Sequence, residues 1–213
     1  MKKLILVTAL AAIAPLAAQA ESNFVTGSGA QSAAAKLDFK VVVPKVLFLQ
    51  VGTGTNLANN ATVDNVTFDV PAGAIGNGTA VAGTGGDLAG GGVTVRVLGN
   101  SGTVSLTNAT TGQLSSGVAG NPTVPWADIV VTAGALATTT TGYTNAAIAH
   151  PPFNDAAGGG ASATATTLAA SAGLVRREGS WTFAYANTAT LPAGTYGDTV
   201  GNNGRVTYTA TAP

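Results

Sequence analysis

The strongest structural pattern in this 213-residue chain lies at residues 36–51, which read KLDFKVVVPKVLFLQV. In the first half of this stretch every second residue is apolar, namely Leu37, Phe39, Val41 and Val43. A period of two is typical of a strand that buries one face. Pro44 has no N–H to donate to a ladder, so it predicts a sheet edge or a bulge. Residues 45–51 are apolar on both faces and predict a central strand.

Outward from this stretch, the same alternation recurs along the chain. It predicts further strands at residues 66–70, 93–98, 103–107, 126–132, 181–186 and 205–211. Glycine clusters at 83–92 and 158–160, with Asn-Gly pairs at 77–78 and 203–204, predict the turns between them. The Ala-rich residues 162–175 contain three β-branched threonines and are interpreted as strand or loop. We therefore expect an all-β fold, a single immunoglobulin-like β-sandwich with long Gly/Ala/Thr-rich loops.

The composition excludes several classes of function. Charged residues make up 8% of the chain, against about 25% in ordinary soluble domains. There is no cysteine and one histidine, which excludes disulfides, a thiolate nucleophile and multi-histidine or cysteine-ligated metal sites. Nine Lys and Arg balance nine Asp and Glu, so we expect no nucleic-acid partner. The apolar fraction of 46% argues against a disordered chain.

The N-terminus has the pattern of a targeting segment. Two lysines precede an apolar run, and Ala18-Gln19-Ala20 places small residues where a signal peptidase cuts. We predict a signal peptide at residues 1–20, a flexible leader at 21–35 and the β-sandwich domain at 36–213. No later apolar segment reaches the length of a transmembrane span, so none is expected after cleavage. The product is predicted to be secreted.

Candidate catalytic groups are sparse. His150 lies between Ala149 and two prolines, with Asp155 as the nearby acid, and we interpret it as structural or exposed. No nucleophile elbow, Walker loop or HExxH motif is present. The sequence therefore predicts no enzyme and no cofactor. The remaining aspartates are scattered singly and are interpreted as solvated turn residues, although several loops together could supply calcium ligands.

Aromatic and charged residues suggest two further features. Trp126, beside Pro125, and Tyr143 are candidates for a surface on which a sugar ring stacks, whereas Trp181 alternates with other aromatic residues and is predicted to lie in the core. Arg176-Arg177-Glu178 is predicted to cap a strand or form a surface ion pair.

The C-terminal region carries a resemblance to a known family. Residues 191–200 read LPAGTYGDTV, and Val206-Thr207-Tyr208 follow in the last strand. This resembles the C-terminal signature of secreted spore-coat-protein-U-like and chaperone–usher fimbrial subunits. The chain departs from that family pattern in two ways: it has no cysteine, and a GNNG turn at 201–204 comes before the last strand. The alternating segment at Leu37, Phe39, Val41 and Val43 is similar to the donor strands that fill a neighbour's groove in those families.

The resemblance implies a pilin-like structural subunit. Its partners would be copies of itself or related subunits, with a periplasmic chaperone and an outer-membrane usher during transit to the cell surface. From the residues alone, the N-terminal strand either completes its own sheet or adds to a neighbour's sheet and builds an unbranched fibre. We expect an adhesive subunit of a pilus-like or biofilm-matrix fibre; the alternative is a monomeric carbohydrate-binding or adhesin module.

Overall fold

The structure, a computed structural model, describes residues 22–198 and 200–213. The chain divides into two units, the first ending at Val43 and the second running from Pro44 to Pro213. The predicted signal peptide lies outside the described residues. In the first unit, residues 22–43 form neither helix nor strand, and their side chains are exposed.

The second unit is built from antiparallel strands joined by loops. Its strands are β1 (Leu47–Val51), β2 (Val66–Thr67), β3 (Val81–Ala82), β4 (Thr84–Gly85), β5 (Gly92–Gly99), β6 (Val104–Thr110), β7 (Ile129–Gly134), β8 (Thr144–Asn145), β9 (Gly160–Ala161), β10 (Thr166–Leu168), β11 (Val175–Tyr185) and β12 (Val206–Thr211). Three short 3₁₀ turns lie at Ala72–Ala74, Trp126–Asp128 and Val200–Asn202. The prediction of an all-β fold is confirmed.

The strands form two larger sheets and a small ribbon. In the first sheet the order is β1-β5-β11-β3, and β11 also pairs with β7 and, in parallel, with β8. In the second sheet the order is β10-β6-β12, with β9 also on β6. The pair β2-β4 makes the ribbon. Because β11 has 11 residues, it is long enough to pair with several shorter strands along its length.

A single hydrophobic core draws on both larger sheets. Val95 and Val97 of β5, Val104 and Leu106 of β6, and Trp181 of β11 are all fully buried. Burying a large aliphatic or aromatic side chain is worth roughly 1.5–3 kcal/mol. The alternating valines and aromatic residues that predicted strands at 93–98 and 181–186 therefore supply the main contacts of the core.

Glycine forms the turn between β4 and β5. Gly85, Gly86, Gly90 and Gly91 all have φ between 69° and 86°, a region that residues with a Cβ rarely enter. At Gly91 an added Cβ would lie 2.5 Å from the carbonyl carbon of Gly83. The glycine cluster at 83–92 is thus required by the backbone, as the sequence predicted.

Some strand predictions need correction. The predicted strand at 126–132 begins with the 3₁₀ turn Trp126–Asp128, and β7 starts at Ile129. The reason is local: the Trp126 N–H donates to Asp155 Oδ1 at 2.6 Å, and the Asp128 N–H donates to the Pro125 carbonyl at 3.1 Å. The strand predicted at 66–70 is reduced to the two residues of β2.

The predicted strand at 36–43 is not a strand in the structure, and the compact unit begins at Pro44 instead of residue 36. Alternation specifies which face a strand would bury, but a strand also needs a neighbour for its ladder hydrogen bonds. No ladder among the described residues includes residues 36–43. Among the described residues, no helix is both long and apolar enough to cross a membrane.

Candidate functional site

The first feature of interest is the exposed apolar face of residues 37–43. The side chains that alternate there are 74–88% exposed: Leu37, Phe39, Val41 and Val43. Single exposed apolar residues are ordinary, but a contiguous row of them usually marks a surface that meets another molecule. We call residues 37–43 the exposed segment.

The second feature lies within the Pro44–Pro213 unit and is an open cleft of about 1380 Å³. Leu49 and Val51 of β1 and Val206 and Tyr208 of β12 are among the residues that line it. These four side chains are half-buried and pack against the core. The cleft is larger than the roughly 300–1,000 Å³ of a small-molecule site. Its size suits an extended polypeptide better than a small ligand.

Two strands that border the cleft have free edges. Within the part of the chain that the structure describes, β1 pairs with β5 alone and β12 pairs with β6 alone. The opposite edge of each strand therefore carries main-chain N–H and C=O groups that join no ladder. Such edges are templates on which a further strand can pair.

The cleft also carries a net negative charge. Asp64, Asp69 and Asp198 line it together with Arg205, which gives three negative charges against one positive. On the exposed segment and its preceding residue, Lys36 and Lys40 outnumber Asp38. The two surfaces are therefore of opposite net charge, which favours association.

Tyr208 connects the cleft to a cluster of aromatic rings around His150. The His150 Nε2 lies 2.8 Å from the Tyr208 hydroxyl. The imidazole ring contacts Phe153 and Trp181 at centroid distances of 4.5 and 4.6 Å. Burial lowers the pKa of His150 to about 4, because the charged form is disfavoured away from water. The residue packs as a structural histidine, one of the two interpretations that the sequence left open.

A smaller cavity of about 450 Å³ lies beside this cluster, lined in part by Trp126 and Phe153. The structure buries Trp126 to 5% exposure, and its Nε1 donates to the Gly112 carbonyl at 2.6 Å. Phe153 packs on it at a centroid distance of 4.9 Å. A sugar needs an open ring face to stack on, so the burial of Trp126 removes support for the predicted stacking surface at this residue.

Tyr143, the other stacking candidate, is half-buried. Its hydroxyl donates to Asn56 Oδ1 at 2.6 Å, and burial raises the pKa of Tyr143. The ring therefore ties two loops together. Trp126 lines both cavities, whereas Tyr143 lines neither.

Glu178 shows a role that the sequence did not reveal. It is fully buried, and its Oε2 accepts a hydrogen bond from Arg96 Nε at 2.8 Å. Burial raises the pKa of Glu178, but hydrogen bonds from Arg96 and Thr140 outweigh this and hold the pKa below its usual value. The predicted surface ion pair within 176–178 is thus wrong for Glu178, because cross-strand register places it opposite Arg96. No local sequence signal marks a partner 82 positions away.

No cluster of three or more potential metal ligands occurs among residues 22–198 and 200–213. One of the loop aspartates, Asp64, accepts a hydrogen bond from Thr53 Oγ1 at 2.8 Å through its Oδ1. In comparisons with known proteins, no family model, no curated protein and no solved structure matches this chain.

Proposed function

We propose that this protein is a secreted structural or adhesive surface subunit that polymerises by β-strand addition. In this proposal the exposed segment of one copy lies in the cleft of the next, and each domain is an immunoglobulin-like β-sandwich lacking one strand. The observation that carries the proposal is that one chain has both an exposed alternating apolar segment and a partly apolar cleft lined by strands with free edges.

The dimensions of the two surfaces agree. Seven residues in extended conformation span about 23 Å, since a strand rises roughly 3.3 Å per residue. β12 has six residues and β1 has five, so the exposed segment is long enough to follow either edge. Because alternate side chains of a strand point to one face, Leu37, Phe39, Val41 and Val43 would enter the cleft together. Lys40 would then point outward.

Burial of the apolar side chains favours association. Burying four large apolar side chains is worth roughly 1.5–3 kcal/mol each, before the cost of ordering the segment and joining two chains. Main-chain hydrogen bonds along the free edge add to this. Each copy would donate one segment and accept one, which gives a head-to-tail fibre.

The partners in this proposal are copies of the chain or related subunits. The resemblance of residues 191–200 and 206–208 to chaperone–usher and spore-coat-protein-U-like subunits adds a periplasmic chaperone and an outer-membrane usher as transit partners. The final location would be the extracellular surface, in a pilus-like fibre or biofilm matrix that serves adhesion. No enzymatic step and no cofactor belong to the proposal.

A charge placed on the apolar face of the exposed segment should abolish polymerisation. We expect the purified chain from residue 21 onward to form heat-resistant oligomer ladders, and Phe39→Arg to remain monomeric. The physical reason is that Arg replaces the apolar contacts of Phe and takes a charged group out of water. Electrophoresis without boiling and light scattering after size-exclusion chromatography measure the oligomers.

Val42→Arg is the matched control. Val42 is 75% exposed, the same as Leu37, but its position in the alternation puts it on the opposite face. It should polymerise like the unmodified chain. A monomeric unmodified protein at high concentration, or equal loss of ladders in both variants, would contradict the proposal. Glycan-array binding by that monomer would instead favour the adhesin module.

A further inference from the structure

We propose that the cavity of about 450 Å³ beside His150 binds a small aromatic amine, with the ammonium group of the ligand on the Asp155 carboxylate. We call this site the small cavity. It belongs to the Pro44–Pro213 unit, and it is open to solvent because the exposed residues Ala127 and Pro152 are among those that line it. The inference goes beyond the proposed function and does not depend on polymerisation.

Most of the residues that line the small cavity are apolar. Ile129, Val131 and Ala133 alternate along β7 and therefore share one face. The aromatic residues Trp126 and Phe153 line the cavity as well. Small-molecule sites measure roughly 300–1,000 Å³, and an apolar cavity of about 150 Å³ already admits benzene. The size of the small cavity therefore suits a bicyclic aromatic ring with a short side chain.

Hydrogen bonds from β6 hold the segment at 150–155, which supplies four of the lining residues. Asn108 Nδ2 donates to the Pro151 carbonyl at 2.6 Å, and Thr110 Oγ1 donates to the Asn154 carbonyl at 2.8 Å. Because these bonds fix the segment, the part of the wall that it supplies is formed before a ligand arrives. A ligand that enters a preformed site does not have to offset the cost of ordering it.

One carboxylate gives the small cavity its charge. Asp155 is the only charged side chain among the described residues that line it, since burial lowers the pKa of His150 to about 4 and keeps the imidazole neutral at pH 7. Asp155 Oδ1 accepts the Trp126 N–H at 2.6 Å, whereas no described residue donates to its Oδ2. A carboxylate oxygen accepts a strong, charge-assisted hydrogen bond from an ammonium group. The small cavity should therefore prefer a cationic ligand to an anionic one.

The test titrates the chain from residue 21 onward with tryptamine and with indoleacetate, which have the same ring and opposite charges at neutral pH. We expect isothermal titration calorimetry to show one tryptamine site per chain and at least tenfold weaker binding of indoleacetate. No binding of tryptamine at about 1 mM, or equal affinity for the two ligands, would overturn the inference. The measurement is valid whether or not the chain forms oligomer ladders, so it can fail while the proposed function stands.

Two variants locate the bound ligand. Asp155→Asn keeps an acceptor oxygen for the Trp126 N–H but removes the charge, so tryptamine should bind at least tenfold more weakly and indoleacetate should not. Val131→Phe fills the small cavity and should abolish tryptamine binding, whereas Val130→Phe changes the opposite, exposed face of β7 and should bind normally. Near-ultraviolet circular dichroism verifies folding. If Val131→Phe does not fold, the ratio of the two affinities in Asp155→Asn decides. Unchanged tryptamine binding in either folded variant would overturn the inference.

Discussion

At the scale of single residues, His150 makes the stability of the fold depend on pH. Its ordinary pKa is about 6.5, and burial among aromatic rings lowers the pKa to about 4. Below pH 6.5 the unfolded chain binds a proton that the folded chain excludes until the pH approaches 4. The contribution of His150 to the free energy of unfolding is therefore complete above pH 6.5. It is lost as the pH falls from 6.5 towards 4.

We expect the free energy of unfolding to fall by about 2–3 kcal/mol between pH 7 and 4.5 because of this residue. Urea titrations at the two pH values measure the fall. His150→Gln is the control, since it has no group that titrates there, and its smaller fall reports the remaining carboxylates. Equal falls in both proteins would show that His150 is not buried in the neutral form.

Two tyrosines of the core offer a matched pair. The Tyr208 hydroxyl is hydrogen-bonded to His150, whereas the Tyr185 hydroxyl is buried and has no hydrogen-bond partner among the described residues. We expect Tyr208→Phe to lower the free energy of unfolding by about 1–2 kcal/mol, since it leaves a buried imidazole nitrogen unpaired. Tyr185→Phe should be neutral or stabilise by up to about 1 kcal/mol. Denaturant unfolding compares the two variants. A larger loss of unfolding free energy in Tyr185→Phe than in Tyr208→Phe would contradict the assigned hydrogen bond.

At the scale of secondary-structure elements, three strands are joined by a row of polar side chains. Gln50 of β1, Arg96 of β5 and Glu178 of β11 lie directly opposite one another in the register. Arg96 donates to both neighbours, and its Nη2 also donates to Thr140 Oγ1 at 2.9 Å. These hydrogen bonds therefore attach the loop that contains Thr140 to the first sheet.

Loss of Arg96 should be costly because it leaves the buried Glu178 carboxylate without its partner. We expect Arg96→Met to lower the free energy of unfolding by about 3–5 kcal/mol. Arg176→Met is the control, since Arg176 is exposed on the same strand as Glu178, and it should cost less than about 0.5 kcal/mol. Thermal and urea unfolding measure both. If both variants lost a similarly small amount of unfolding free energy, the polar row would contribute little to the stability of the fold.

At the scale of the whole molecule, the low charge content suits a protein that contacts copies of itself. With residues 1–20 removed, seven basic and nine acidic residues remain, a net charge of −2 and therefore little repulsion between copies. A freely soluble protein with 8% charged residues would be prone to association. In the proposed fibre the same property assists assembly, which the comparison of Phe39→Arg with Val42→Arg measures directly.

Sequence reasoning was accurate for several strands whose signal is local, although the alternation at 36–43 gave no strand. The alternation at 93–98, 181–186 and 205–211 predicted β5, the second half of β11 and β12 because side chains on a strand alternate whatever the strand pairs with. The apolar run at 45–51 predicted β1, but β1 is an edge strand that pairs with β5 alone, so the prediction of a central strand was wrong. The 3₁₀ turn at Trp126–Asp128 was missed, since it depends on a hydrogen bond to Asp155, 29 positions away.

By itself, the sequence determined the all-β class, the turns that need glycine and the presence of an alternating apolar face at residues 37–43. Only the tertiary structure decided which of these faces are covered. Strand order and register brought Arg96 to Glu178, buried Trp126 against Phe153 and formed a cleft lined in part by β1 and β12. Phe39 is exposed. The physical reason is that periodicity is a property of neighbouring residues, whereas burial depends on partners that are distant in the chain.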